Sequence, residues 1–199
     1  MTRFLMIRHA ATAFVGRRIA GRSDVPLSDA GRAQAERLAD RLAAEKIAAV
    51  YTSPETRARE TARPIAGRFR CLPIATSDLD EVDYGDWTGR ALDELAALPE
   101  WRAYNSTRSL TRIPSGERIV DVQARVIDAI ERLRARHGGQ SVALVSHAEP
   151  IRAALAYYLG VAIDLSLRYD IDPASVSIVE LYEDGPKIRC VNSTEAILG

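Results

Sequence analysis

Three histidines occur in this chain of 199 residues, and two of them stand in comparable places. His9 follows the apolar run Phe4 to Ile7 and Arg8, and His147 follows the apolar run Val142 to Val145 and Ser146. A third such run, Ile47 to Thr52, leads into Ser53 and Pro54, with Arg57 one helical turn further on. In open α/β sheets ligands bind beyond the carboxyl ends of the strands. If the three runs are strands, two histidines and two arginines meet at such an end. Guanidinium is a planar fork for phosphate or carboxylate, and imidazole changes charge near neutrality. Arg8 adds an energetic argument. A charge at the end of a buried strand is expensive without a partner, and a bound phosphate dianion would be one. The helices that start after Ser53 and His147 add free N–H groups and positive dipole ends. No member of the set is informative alone: a single histidine is more often structural, and one arginine among 27 basic residues is ordinarily a salt-bridge partner. His137, just before Gly138 and Gly139, reads as a residue that complements a helix C-terminus, with no chemistry of its own.

The elements that must position this set alternate between strand and helix. Ser28 is an N-cap residue for an amphipathic helix reaching about Lys46, with Leu38 and Leu42 on one face. Pro54 suits the first turn of a helix to about Arg68, and residues 72–77 form an extended segment. Val122, Val126, Ile130 and Leu133 mark a long helix, and Pro150 starts another that ends at Leu159 and Gly160. Val176 to Leu181 and Lys187 to Val191 predict a closing hairpin turning at Gly185 and Pro186, which adds an antiparallel edge. This order predicts an α/β fold of three layers, a mostly parallel sheet with helices on both faces. The length suits a single domain over 1–199, with the irregular stretch 77–114 as an insertion over the site.

Composition narrows the function classes. Lys plus Arg and Asp plus Glu both number 27, so the balanced charge gives no support for nucleic-acid binding. No run approaches the length of a membrane span or a signal peptide. Cys71 and Cys190 have neither metal nor disulfide-framework spacing. A cytoplasmic protein is expected.

Several segments carry a family resemblance. They are Arg8-His9-Ala10, Leu27 to Ala35 (LSDAGRAQA), Thr52 to Ala62 (TSPETRARETA), Leu79 to Gly89 (LDEVDYGDWTG) and Ala143 to Arg152 (ALVSHAEPIR). In this order they resemble the histidine phosphatase superfamily, and within it the phosphoglycerate-mutase-like branch. The resemblance implies that fold and a phosphohistidine mechanism. His9 matches the nucleophile, Arg8, Arg57 and His147 match the rest of the phosphate pocket, and Glu81 matches the proton donor to the leaving group. Gly21 falls in a loop that lines the substrate pocket in relatives. A neutral imidazole can attack phosphorus in line, and the arginines and second histidine absorb charge on the equatorial oxygens. Glu81 must then stay protonated near neutrality, which needs burial or neighbouring negative charge, with Asp80, Asp83 and Asp86 close in sequence.

The family's opening pattern usually reads Arg-His-Gly-Glu-Thr, with Asn three residues later. Thr12 keeps it, whereas Ala10, Ala11 and Val15 depart from it, and Ala148 follows His147 where Gly is frequent. These departures touch the pocket wall and leave the nucleophile in place. The compact chain and the segment Ser146 to Arg152 resemble the branch's small phosphatases, including those acting on α-ribazole phosphate. The expectation is therefore a phosphatase of small phosphorylated metabolites. Its rivals are a cofactor-dependent phosphoglycerate mutase and a degenerate phosphate-binding protein without catalysis. No metal and no cofactor is expected, because the arginine and histidine pocket already neutralises the ligand. Oligomeric state is open, a homodimer included.

Overall fold

The computed structural model describes residues 1–195. Its strands are β1 (Thr2–Arg8), β2 (Ile47–Thr52), β3 (Ile74–Ala75), β4 (Ser141–Ser146), β5 (Val176–Tyr182) and β6 (Gly185–Ser193). Its α-helices are α1 (Asp29–Arg41), α2 (Thr56–Arg68), α3 (Leu92–Ala96), α4 (Pro99–Ser106), α5 (Ile119–Arg136) and α6 (Ala148–Leu159). One six-stranded sheet runs in the order β3-β2-β4-β1-β5-β6. β1 to β4 are mutually parallel, and β5 and β6 are antiparallel.

The alternation of side chains across each strand divides the core into two layers. Leu5, Ile7, Val50, Ala143 and Val145 face one side, where they meet Leu38 of α1 and Ala58, Ala62 and Ile65 of α2. Phe4, Met6, Tyr51, Val142 and Leu144 face the other, against Val126, Ile130 and Leu133 of α5 and Ile151 and Leu155 of α6. Both faces of the central strands are covered, which is why they read as unbroken apolar runs rather than alternating ones. The three-layer α/β architecture is as expected.

Several boundaries differ from the sequence reading. α1 stops at Arg41 instead of Lys46: Leu42 caps it, and the backbone tightens into turns at Ala43 and Glu45 that redirect the chain into β2. Pro54 lies ahead of α2, whose N-cap is Glu55. α6 starts at Ala148 with His147 as N-cap, so Pro150 sits inside the first turn, where its missing N–H costs nothing. Only Ile74–Ala75 of the extended stretch 72–77 pairs with the sheet. The final hairpin turns at Glu183 and Asp184, and Gly185 already belongs to β6. β5 pairs with β1 inside the sheet, leaving β6 as the antiparallel edge.

Residues 77–118 contain two short 3-10 turns, α3 and α4. They build a third apolar cluster of Val82, Tyr84, Trp87, Leu95, Tyr104 and Ile113 against Val122 of α5 and Ala153 and Ala156 of α6. α4 has no clear apolar period and is missed in the sequence. It is held by one fully buried residue, Tyr104, whose ring packs against Trp87 and Trp101.

Candidate active site

Strand order brings the candidate residues together. β1 and β4 are parallel neighbours with Arg8 level with Ser146, so His9 and His147 leave adjacent strand ends. The His9 N–H donates to the Ser146 carbonyl at 2.9 Å. The two imidazoles meet edge to face with ring centroids 5.1 Å apart. On the other side of β4, Thr52 of β2 is level with Val145, and the Ser53 N–H donates to Val145. α2 then starts beside this end and buries Arg57 completely.

Each group has a defined state. His9 Nδ1 lies 2.7 Å from the Ala10 carbonyl, which can only accept, so Nδ1 carries the proton and Nε2 keeps its lone pair. Burial, then the charges of His147, Arg57 and Arg8, push the His9 pKa well below the ordinary imidazole value. The ring is therefore neutral at pH 7 in the tautomer a nucleophile needs. Arg57 is clamped by the carbonyls of Gly21 (2.5 Å) and Ser23 (3.0 Å), and Arg8 by that of Ile171 (2.5 Å). Yet Arg57 Nε, Arg8 Nε and His147 Nδ1 are buried with no hydrogen-bond partner among the described residues. Buried polar atoms normally find partners, and three orphans around His9 form an oxyanion-shaped deficit.

Glu81 leaves the third cluster and joins the cleft wall. Its Oε1 accepts from the Val82 N–H at 3.0 Å. Burial raises its pKa to about 7, against the pull of Arg57 and that backbone hydrogen bond, with Glu149 adding to the rise. The largest helping negative charge thus comes from Glu149 of α6, ahead of Asp80, Asp83 and Asp86. Asp80 is itself pushed up to about 6, by burial and then by Glu55.

A cleft of about 170 Å³ opens on Arg8, His9 and Glu81, and Arg57 and His147 are not among its lining residues. Arg8, His9, Glu81 and Glu149 supply its polar floor, and Phe14, Val15, Ile19, Tyr84 and Leu92 its walls. Gly21 lines it too, at φ +51°, and a Cβ there would lie 2.9 Å from Thr88 Oγ1. The contact it makes is through its carbonyl to Arg57, so it holds that guanidinium in place. Gly31 serves the site from a distance. A Cβ on it would lie 2.0 Å from the Ala11 carbonyl, so only glycine lets α1 pack this closely on the loop that carries His9. Among the described residues no three His, Cys, Asp or Glu side chains cluster to hold a metal ion.

Three further residues belong to the site region and were not singled out in the sequence. Glu55 and Ser53 sit behind His147. Arg108, buried in the segment after α4, pairs with Glu149, which Arg152 also grips. Glu149 and Arg152 stand within the quoted segment 143–152, but nothing in sequence marks Arg108 as their partner, 41 residues from Glu149.

The chain is similar to known proteins over nearly its whole described length. The family model for the histidine phosphatase superfamily (branch 1) matches residues 4–194. Phosphoserine phosphatase 1 of Hydrogenobacter thermophilus is 32% identical over 198 residues, covering 98% of this chain and 93% of that protein. The structure of Bacillus stearothermophilus YhfR superposes with a TM-score of 0.92 at 31% identity, covering 98% of this chain and 99% of that one. The mycobacterial glucosyl-3-phosphoglycerate phosphatase Rv2419c gives 0.88 at 25% identity, covering 96% and 99%. With the fold, the ordered motifs and this match over nearly the whole described length, the chain belongs to the histidine phosphatase superfamily, branch 1.

Proposed function

We propose that this chain hydrolyses small phosphate monoesters through a phosphohistidine on His9. The observation that carries the reading is the pair of buried, unpartnered guanidinium donors, Arg8 Nε and Arg57 Nε, near a histidine whose Nε2 is free to attack. Nε2 forms a bond to phosphorus as the ester P–O bond breaks, and the leaving oxygen takes the Glu81 proton. Water then attacks the phosphohistidine, Glu81 accepts its proton, and orthophosphate leaves with His9 neutral again. The named phosphatases among the relatives support hydrolysis over mutase chemistry. A phosphate-release screen across sugar phosphates, phosphoglycerates, nucleotides, phosphoamino acids and α-ribazole phosphate tests the reading. Efficient isomerisation of 3-phosphoglycerate, dependent on 2,3-bisphosphoglycerate and with little phosphate release, would overturn it.

The same reading has two consequences for Glu81. Glu81→Gln should slow alkyl phosphates about a hundredfold and p-nitrophenyl phosphate far less, since a good leaving group needs little protonation. Equal losses on both would remove Glu81 from the acid role. In addition, a raised carboxyl pKa means the acid is present below about pH 7 and lost above it. The kcat/KM for alkyl phosphates should therefore fall as pH rises through about 7, in a profile that Glu81→Gln flattens.

No metal takes part in this mechanism. Dialysis against a chelator should leave phosphate release unchanged, and a loss restored by a divalent ion would contradict it. We assign the protein to a reducing, cytoplasmic setting, in keeping with the free thiols Cys71 and Cys190. No helix among the described residues is long and apolar enough to cross a membrane. In this reading 1–199 acts as one domain whose segment 77–114 covers the site.

A further inference from the structure

On the reading that this site binds phosphoryl groups, we propose that Glu55 is a positioning residue that, through Ser53, makes His147 take up a proton when the anion binds. The hydrogen-bond arithmetic is the argument. Ser53 Oγ lies against the Glu55 carboxylate and 2.8 Å from His147 Nε2, and Glu55 Oε2 is itself 3.3 Å from that nitrogen. A carboxylate can only accept, so the single hydroxyl proton of Ser53 goes to Glu55. Ser53 Oγ is then an acceptor toward the ring, and Nε2 carries the imidazole proton. That leaves His147 Nδ1 as a bare lone pair, fully buried and without a partner.

A lone pair repels a phosphoryl oxygen, whereas an N–H⁺ donates to it. Binding a dianion therefore stabilises a second proton at Nδ1, taken from solvent, and the carboxylate at the far side of the ring stabilises the resulting imidazolium. The groups facing His147 oppose this charge in the empty site. Burial comes first, then Arg57, Arg8, Arg125 and Arg22, while Glu55, Glu149 and Asp80, which Glu55 pushes up, are the nearby carboxylates. His9 on β1 faces it as a neutral ring. The anion shifts the balance, because it cancels the arginine charges that add to burial in opposing the proton. Glu55 also lines an open cleft beside Asp24 and Arg59, so the relay ends near solvent.

The test uses tungstate, a dianion that does not itself titrate near neutrality. With only three histidines, imidazole ¹⁵N NMR at pH 7.5 resolves each ring. In the free protein His147 should be neutral and protonated at Nε2, and with tungstate both nitrogens should be protonated. Calorimetry in buffers of differing ionisation enthalpy, run in an Asp80→Asn, Glu81→Gln background to remove the other two acids with raised pKa values, should show uptake of about one proton. Glu55→Gln should abolish the imidazolium and weaken tungstate roughly tenfold or more, the scale of losing a charge-assisted hydrogen bond. A His147 ring that stays neutral in the wild-type tungstate complex, or merely switches tautomer, overturns the relay and leaves the phosphatase reading intact. Tungstate that moves neither the His9 nor the His147 signals overturns both.

Discussion

His9→Ala should reduce turnover of every phosphomonoester by about a thousandfold or more, and no acid-labile phosphoenzyme should form from labelled substrate. The size follows from the division of labour at the site. Arg8, Arg57 and His147 bind and stabilise charge, but none supplies the electron pair that bonds to phosphorus. Without His9 the reaction must use water directly, in a pocket built to orient an imidazole. The fold should survive, because among the described residues the only hydrogen bond of the His9 side chain is to the carbonyl of the adjacent Ala10. A melting curve close to wild type would confirm that the lost activity is chemical. Acid quench after mixing with labelled ester reads the intermediate, and near-normal turnover in this variant would sink the mechanism.

Arg108→Ala should be the most damaging change to stability outside the apolar core. Arg108 is 1% exposed and donates to Glu149, to Tyr104 Oη at 2.8 Å and to Ser166 Oγ at 3.1 Å. Its guanidinium also sits 4.8 Å from the Tyr104 ring centre. Burial alone would raise the Glu149 carboxyl pKa, but Arg108 and Arg152 hold it below the ordinary value. Removing one partner strands a buried charge and leaves a cavity, which costs about 3–5 kcal/mol. For a chain of this size that corresponds to a melting temperature lower by roughly 10 °C. The loss should shrink at low pH, where Glu149 can be protonated in the variant. Thermal melts at pH 7 and pH 4.5 check both points: a fall below about 1 kcal/mol at pH 7 would mean that Arg152 suffices. Because Glu149 also lines the cleft, the variant should lose activity along with stability.

The fold was readable where one physical signal dominated. Phe4 to Ile7 and Val142 to Val145 are covered on both faces and so are apolar at every position, and α5 follows its period because one face meets the sheet. The reading failed where local chemistry and tertiary demand diverge. α1 contains nothing that forbids helix after Arg41, and its end is set by the path into β2. α4 is held by an aromatic cluster assembled from Trp87, Trp101 and Tyr104, which no local period announces.

For the site, the sequence by itself determined the residue types and their order: His9 after one strand, Arg57 after a second, His147 after a third. Those are local facts, since a nucleophile, a guanidinium and a strand end are each written in a few adjacent residues. Only the tertiary structure decided their states. The neutral state of His9 depends on its burial and on the charges of His147 and Arg57, which other elements bring beside it. The pKa of Glu81 rises through burial, with Glu149 of α6 helping ahead of the neighbouring aspartates. Glu55 reaches His147 across 92 residues, and Arg108 reaches Glu149 across 41. Charge and solvation act through space, so sequence spacing can name the participants, whereas their pKa values and partners exist only once the chain has folded around them.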